Sequence, residues 1–154
     1  MTAVLRELGP GETHRAVGAL RELRPHLADP EALVRLVDGT LRPQGYRLLA
    51  AFTDPEAAAD RDQPAPAVAG WRVVEMLAHG RFLYVDDLST LPGARRRGLA
   101  RELLAGLADE GRRLGCAALQ LDSGVGPERR DAHALYLADG MRITSFHFAR
   151  PLTE

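Results

Sequence analysis

The sequence predicts a mixed α/β domain in which helices are interleaved among the strands of one sheet. Two observations lead there. Stretches with apolar residues at strand spacing and stretches with apolar residues at helical spacing follow one another along the chain. The junctions between them carry glycine, proline or a capping aspartate, the residues that end one element and open the next. With 154 residues, 45% of them apolar and 27% charged, the chain has the size and composition of a soluble globular protein. A single domain over residues 1–154 is therefore expected.

Taken in order, residues 3–8 form a first strand, stopped by Gly9-Pro10-Gly11. Ala16, Val17, Leu20 and Leu23 then recur at helical spacing until Pro25 interrupts them. Asp29 is a good N-cap with Pro30 at the first helical position, which opens a second helix reaching about Leu41. Residues 46–52 read as a strand, and residues 53–66, with their charges and Gln63-Pro64-Ala65-Pro66, as a connecting loop. Residues 68–77 and 82–88 make an antiparallel hairpin about His79-Gly80. After Pro92 a helix is expected over residues 98–113, with Leu99, Leu103, Leu104 and Leu107 on one face and Gly115 behind it. Residues 116–121 read as a short buried strand. A helix over residues 129–138 follows, capped by Gly140 in the left-handed conformation. Residues 141–150 read as a final strand.

Composition excludes several classes. A net charge of −1 offers no general attraction to nucleic acid or to an anionic membrane. The chain contains no lysine, so its 20 cationic side chains are all arginine. Cys116 is the only cysteine, which rules out an internal disulfide and makes a reducing compartment the simpler setting. Cys116 itself reads as an inert core residue. Residues 1–11 lack the basic-then-apolar pattern of a signal peptide, and no apolar run nears the ~20 residues needed to span a bilayer. A cytoplasmic location is expected. His14, His26, His79 and His147 have no partners at metal-ligand spacing, so no catalytic metal is expected.

The informative segment runs from Tyr84 through Asp86-Asp87-Leu88-Ser89-Thr90 and Pro92 to Arg95-Arg96-Arg97-Gly98-Leu99-Ala100. It passes from a strand, through a loop of arginine and glycine, into a helix. The first turn of a helix presents unpaired N–H groups and partial positive charge, a combination suited to phosphate. Gly98 removes a side chain from that approach, and the arginines add charge and forked donors. These properties point to an anion site that would take a pyrophosphate.

The pattern Arg95-x-x-Gly98-x-Ala100, following a strand and opening a helix, resembles the R/Q-x-x-G-x-G/A signature of the GNAT (GCN5-related) N-acetyltransferases. Residues 131–141, a helix with Tyr136 that ends in Gly140-Met141, are similar to a later motif of the same family. The resemblance covers residues 68–148; residues 1–53 agree with it only in element order. It implies the GNAT acyl-CoA N-acyltransferase fold: a mixed central sheet of about six strands, helices on both faces, and a splayed cleft for the cofactor. It also implies acetyl-CoA as acyl donor and a primary amine, on a small molecule or a protein, as acceptor.

Carried onto this chain, the resemblance assigns the pantetheine arm to the backbone at Leu88, Ser89 and Thr90. The pyrophosphate falls to the backbone of Arg96, Arg97, Gly98, Leu99 and Ala100 and to the side chain of Arg95. Arg101 either reaches a phosphate or is simply solvated. A backbone N–H near Leu88 would polarise the thioester carbonyl. Tyr136 takes the place of the general acid, since a phenol with a pKa near ~10 is protonated at neutral pH and can donate. Its alternative is a tyrosine packed on the sheet.

The base is assigned to the Asp86-Asp87 pair, with Glu75 in reserve. Side chains alternate along a strand, so one aspartate faces the cleft; counting from Leu88 selects Asp86, and a bulge would reverse the choice. Adjacent carboxylates near a low-dielectric cleft also raise one pKa. The competing role is binding the acceptor's ammonium. His133 is either a proton relay or a surface residue. Arg129 stands where many members carry asparagine, which removes one cofactor contact unless arginine replaces it. The last strand either lacks its usual partner or borrows one from a second copy in a homodimer. A non-catalytic acyl-CoA-binding module would need Arg95 to Ala100 but neither Asp86 nor Tyr136. A nucleic-acid-binding role for Arg95-Arg96-Arg97 is disfavoured by the overall charge and the few aromatics.

Overall fold

A computed structural model describes residues 2–153, which fall into two compact units, one reaching to Leu121 and one starting at Asp122. In the first unit a five-stranded sheet runs in the order β1 (Val4–Leu8), β2 (Arg47–Phe52), β3 (Ala67–Met76), β4 (Gly80–Thr90), β5 (Leu119–Leu121). The first four strands are antiparallel neighbours, and β5 joins β4 in parallel. A parallel neighbour needs a crossover, and α4 (Leu99–Arg113) supplies it.

Helices cover both faces of this sheet, as expected. On one face α1 (Val17–Leu23) and α2 (Pro30–Leu36) place Leu20 and Leu33 against Leu8, Leu48, Phe52 and Val68. The Asp29 side chain caps α2 by accepting from the N–H groups of Glu31 (3.0 Å) and Ala32 (3.3 Å). The expected second helix does reach Leu41, but its winding changes on the way. α2 gives way to a wider turn over Val37–Leu41 and a tight one over Arg42–Gln44, ended by Gly45 at φ +94°. On the other face Leu99, Leu103 and Leu107 of α4 lie against Ala69, Trp71, Leu83 and Val85. Each of these buried leucines contributes roughly 2 kcal/mol of apolar burial. Cys116 packs half-buried at the margin of this second core.

The connection over residues 53–66 is not all loop. Asp54 caps a short helix, α3 (Pro55–Ala59), accepting from the Ala57 N–H at 2.7 Å. What fixes the segment is Arg15, whose side chain is fully buried. Its guanidinium donates to the carbonyls of Ala57 (2.9 Å), Ala58 (3.2 Å) and Gln63 (2.9 Å) and stacks 4.5 Å from the centre of the Phe52 ring. Glu12 balances its charge at 3.5 Å. One arginine thus satisfies three carbonyls in a segment that has no sheet of its own.

The second unit holds a tight turn over Pro127–Arg129, helix α5 (Arg130–Ala138) and Gly140 at φ +87°, the left-handed cap foreseen from sequence. Two expectations fail here and beside it. The strand foreseen over residues 116–121 is confined to Leu119–Leu121 and is half-buried; Gly115 and the Gly111–Cys116 backbone bond hold Cys116 in a turn, and Ala117 and Ala118 make the first bonds to Arg81 and Leu83 of the hairpin. The final strand foreseen over residues 141–150 does not form. The segment is irregular and its large apolar residues are exposed, Ile143 and Phe146 at 84% and Phe148 at 91%. Alternation supplied the strand pattern, but a strand also needs a ladder partner, and among the described residues this segment has none.

Arg15→Met should leave the Ala57 and Gln63 carbonyls without their donor and cost about 3 kcal/mol, read as a lowered midpoint in urea unfolding.

Candidate active site

Strand β4 carries the first part of the site, and its irregularity decides the arrangement. Opposite β3 the register runs Trp71–Val85 and then Gly70–Asp87, so Asp86 is an extra residue bulged out of the ladder. The bulge interrupts alternation, and both carboxylates join one polar network. Arg72 grips Asp86 with Nη2 at 2.6 Å from Oδ2 and Nε at 3.0 Å from Oδ1. Asp87 accepts from the Tyr46 hydroxyl at 2.8 Å and from Arg24 Nε at 3.0 Å. Arg24 also donates to the Asp86 carbonyl at 3.0 Å, and the Arg72 guanidinium sits 5.7 Å from the centre of the Tyr46 ring. The expectation that a single aspartate faces this side is thereby corrected.

Burial raises the pKa of Asp86 above the ordinary carboxylate range, and the Arg72 pair only partly offsets it. Tyr46 is buried beside this carboxylate, and burial first, then Asp87, drives its phenol pKa well above the usual value. Its proton therefore stays on the oxygen and in the bond to Asp87. Glu75 lies at the far end of the hairpin, exposed and paired with Arg81 at 2.8 Å, so it is not part of this group.

Past the bulge, β4 has a free edge. β5 pairs only with Leu83, Tyr84 and Val85, and among the described residues no strand covers the same edge of β4 over residues 86–90. On its other edge Leu88, Ser89 and Thr90 stand opposite Ala69, Val68 and Ala67, and the alternation of an antiparallel ladder turns the backbone groups of every second residue away from β3. The chain then makes a tight turn over Pro92–Ala94 and passes through Arg96 at φ +61° and Gly98 at φ +78° into α4. Glu102 is the first residue of α4 whose N–H bonds back, to the Gly98 carbonyl at 3.0 Å. The amides of Leu99, Ala100 and Arg101 thus lack helical acceptors and point out of the helix end. A Cβ on Gly98 would meet nothing within 4 Å, but the positive φ itself favours glycine there.

The arginines of the loop divide into two kinds. Arg95 is engaged, donating to Glu22 of α1 at 3.0 Å and to the Thr90 carbonyl at 3.3 Å, so it braces the loop. Arg96, Arg97 and Arg101 are exposed and form no ion pair among the described residues.

Tyr136 belongs to the second unit. It is buried, and its hydroxyl accepts from Arg129 Nη2 at 3.4 Å. Burial raises its pKa above the ordinary phenol value and Arg129 partly opposes the rise. Arg129 also donates to Ser123 Oγ at 3.3 Å, and His133 Nε2 lies 3.0 Å from the same oxygen. His133 is thus tied to Ser123, and Arg129 to the tyrosine two helical turns further on.

Sequence reasoning missed Arg24, Tyr46, Gly70 and Arg72. An isolated glycine within a strand pattern signals close approach of another group, and Gly70 is such a case. A Cβ there would overlap the Tyr46 hydroxyl and ring carbons, so glycine is what lets the phenol cross β3 and reach Asp87. Arg24 and Arg72 left no signal in a chain whose cations are all arginine.

Comparison with known proteins defines the class. The family model for the GNAT acetyltransferases matches residues 19–141, and the chain belongs to that family. Members use acetyl-CoA as acyl donor. A curated relative, aminoalkylphosphonate N-acetyltransferase of Salmonella typhimurium, is 32% identical over 68 residues, 44% of this chain and 43% of that protein. The chain therefore matches less than half the length of this relative.

Solved structures share the fold. An aminoglycoside N-acetyltransferase, AAC(6')-Iy, in complex with CoA superposes with a TM-score of 0.76 at 18% identity, over 98% of this chain and 95% of that one. A putative acetyltransferase from Agrobacterium tumefaciens gives 0.74 at 21% identity, over 96% and 99%.

Gly70→Ala should force Tyr46 off Asp87 and destabilise the protein by about 3 kcal/mol in chemical denaturation. In the Tyr46→Ala background the same change should cost much less, because the overlapping ring is gone.

Proposed function

We propose that this protein transfers an acetyl group from acetyl-CoA to a primary amine by direct attack, with residues 1–154 acting as one catalytic domain. The observation that carries the reading is the free edge of β4 over residues 86–90, which leads into the helix end at Leu99–Arg101. An extended amide-bearing arm could add to such an edge as a strand does, with its phosphates at the helix end. The match of the family model on both sides of Leu121 supports treating the chain as one domain.

In this reading Leu88, Ser89 and Thr90 bind the pantetheine amides through their backbone. The amides of residues 96–100 hold the pyrophosphate, Arg96, Arg97 and Arg101 add charge from solvent, and Arg95 stiffens the loop. Acetyl-CoA supplies an activated acyl carbon, and the C–N bond forms there as the C–S bond breaks. The N–H near Leu88 polarises the carbonyl oxygen. Asp87 anchors the acceptor's ammonium, and Asp86, made more basic by burial, receives the amine's proton. Tyr136, held protonated by its burial, returns a proton to the thiolate sulfur.

The acceptor is not dictated by the fold. The matched relatives act on an aminoalkylphosphonate and on aminoglycosides, and an amine is what those acceptors share. The lone cysteine fits a reducing, cytoplasmic setting. No helix among the described residues is long and apolar enough to cross a membrane. A homodimer in which the 141–150 segment of one copy adds to the β5 edge of another belongs to the same reading. Its support is the exposure of Ile143, Phe146 and Phe148 together with the position of β5 at the end of the sheet.

Calorimetric titration with acetyl-CoA should show binding to the wild type and none to Gly98→Glu, whose carboxylate would stand where the pyrophosphate lies. A folded wild type that does not bind would overturn the reading. Tyr136→Phe should lower kcat on the acceptor by about 10²-fold with acetyl-CoA affinity nearly unchanged, read by free-thiol release. Unchanged kcat would return Tyr136 to a packing role.

A further inference from the structure

Beside Asp87 the first unit has a cavity of about 280 Å³ that is open to solvent on one side. Its walls are aliphatic: Leu20 from α1, Leu27 from the connection, Leu33 and Leu36 from α2, and Val37 and Leu41 from the turns that follow. Leu36 remains 37% exposed on this wall, at the open side of the cavity. Tyr46 and Asp87 contribute the polar end, where the carboxylate lies one residue from Leu88 on β4.

Three properties limit what this space can accept. The volume lies just below the usual range of ligand pockets, roughly 300–1,000 Å³, so the bound body is compact. Asp87 is the cavity's one aspartate, and its oxygens, which accept from Tyr46 and Arg24, keep lone pairs for a further donor. Asp86, its neighbour, is paired with Arg72 and is not among the groups that line the cavity. The other charge-bearing lining groups are Arg24 and His26, which are cationic or neutral. A second ammonium on the acceptor would thus meet aliphatic walls or the Arg24 cation, and nothing would compensate its loss of water.

The geometry points to an acceptor with a single amine on a compact apolar body, an alkyl- or aralkylamine, whose ammonium sits at Asp87 and whose hydrocarbon lies between α1 and α2. This assignment rests on the acetyl-transfer reading above. It separates the protein from acetyltransferases of polycations, whose acceptors carry several ammonium groups and need several carboxylates. Arg24 and Tyr46 each hold one oxygen of Asp87, and the incoming amine takes a lone pair that they leave open.

The test compares 2-phenylethylamine and hexylamine with spermidine and kanamycin. Each is titrated calorimetrically into the full-length protein with and without CoA, and each is assayed for thiol release from acetyl-CoA. The two monoamines are expected to bind, and to exceed the polycations in kcat/KM by about tenfold or more. Leu36→Asp, on the exposed rim of the cavity, should weaken 2-phenylethylamine binding by about tenfold and leave acetyl-CoA affinity unchanged. Polycations preferred over monoamines, no monoamine binding, or binding indifferent to Leu36→Asp would each overturn the assignment. Failure of acetyl-CoA to bind would instead remove the transferase reading, and the amine titrations would still judge the cavity.

Discussion

Much of the site's geometry depends on one irregularity, the extra residue that Asp86 inserts into β4. A regular strand would send Asp86 and Asp87 to opposite faces and leave one of them against the α4 core. The bulge brings both into reach of groups from three other places in the chain: Arg24 after α1, Tyr46 before β2, and Arg72 on β3. Those contacts tie the α1–α2 layer to the strand that carries the candidate chemistry. The carboxylates are partly buried, so each needs its partners, and each partner is itself held by a carboxylate.

The loop into α4 is built on a different basis. It has few internal bonds, and its shape comes from backbone conformation: a tight turn after Pro92, then Arg96 and Gly98 in the left-handed region. Only Arg95 is tied down, to Glu22 and to the Thr90 carbonyl. The loop uses one arginine for its own architecture and leaves the amides of residues 96–101 without backbone partners among the described residues, which is what the proposed anion site requires.

Much of this was legible in the sequence. Helical spacing located α1, α4 and α5, capping residues located the start of α2, and turn residues located the β3–β4 hairpin. The Arg95-x-x-Gly98-x-Ala100 spacing located the loop that opens α4, because glycine directly marks the left-handed conformation that Gly98 adopts there. What escaped the sequence depends on long-range pairing. The bulge at Asp86 exists only relative to β3. Tyr46, Arg24 and Arg72 matter because they meet at Asp86 and Asp87, and no local spacing encodes that meeting. Gly70 was the one local clue. Residues 141–150 show the opposite failure, since alternation is necessary for a strand but does not supply a neighbour for it.

The exposed side chains around the loop into α4, Arg96, Arg97 and Arg101, have a chemical consequence of their own in the proposed reading. A guanidinium stays protonated across the working range of proteins and is a poor nucleophile. A lysine in the same place would offer the loop's ligand the same charge, but its free-amine fraction could be acylated by a neighbouring thioester. With no lysine anywhere in the chain, the protein has no side-chain amine to present to its own donor. In the proposed reading, a surface that attracts phosphate through arginine alone places no lysine amine beside the thioester to compete with the external acceptor.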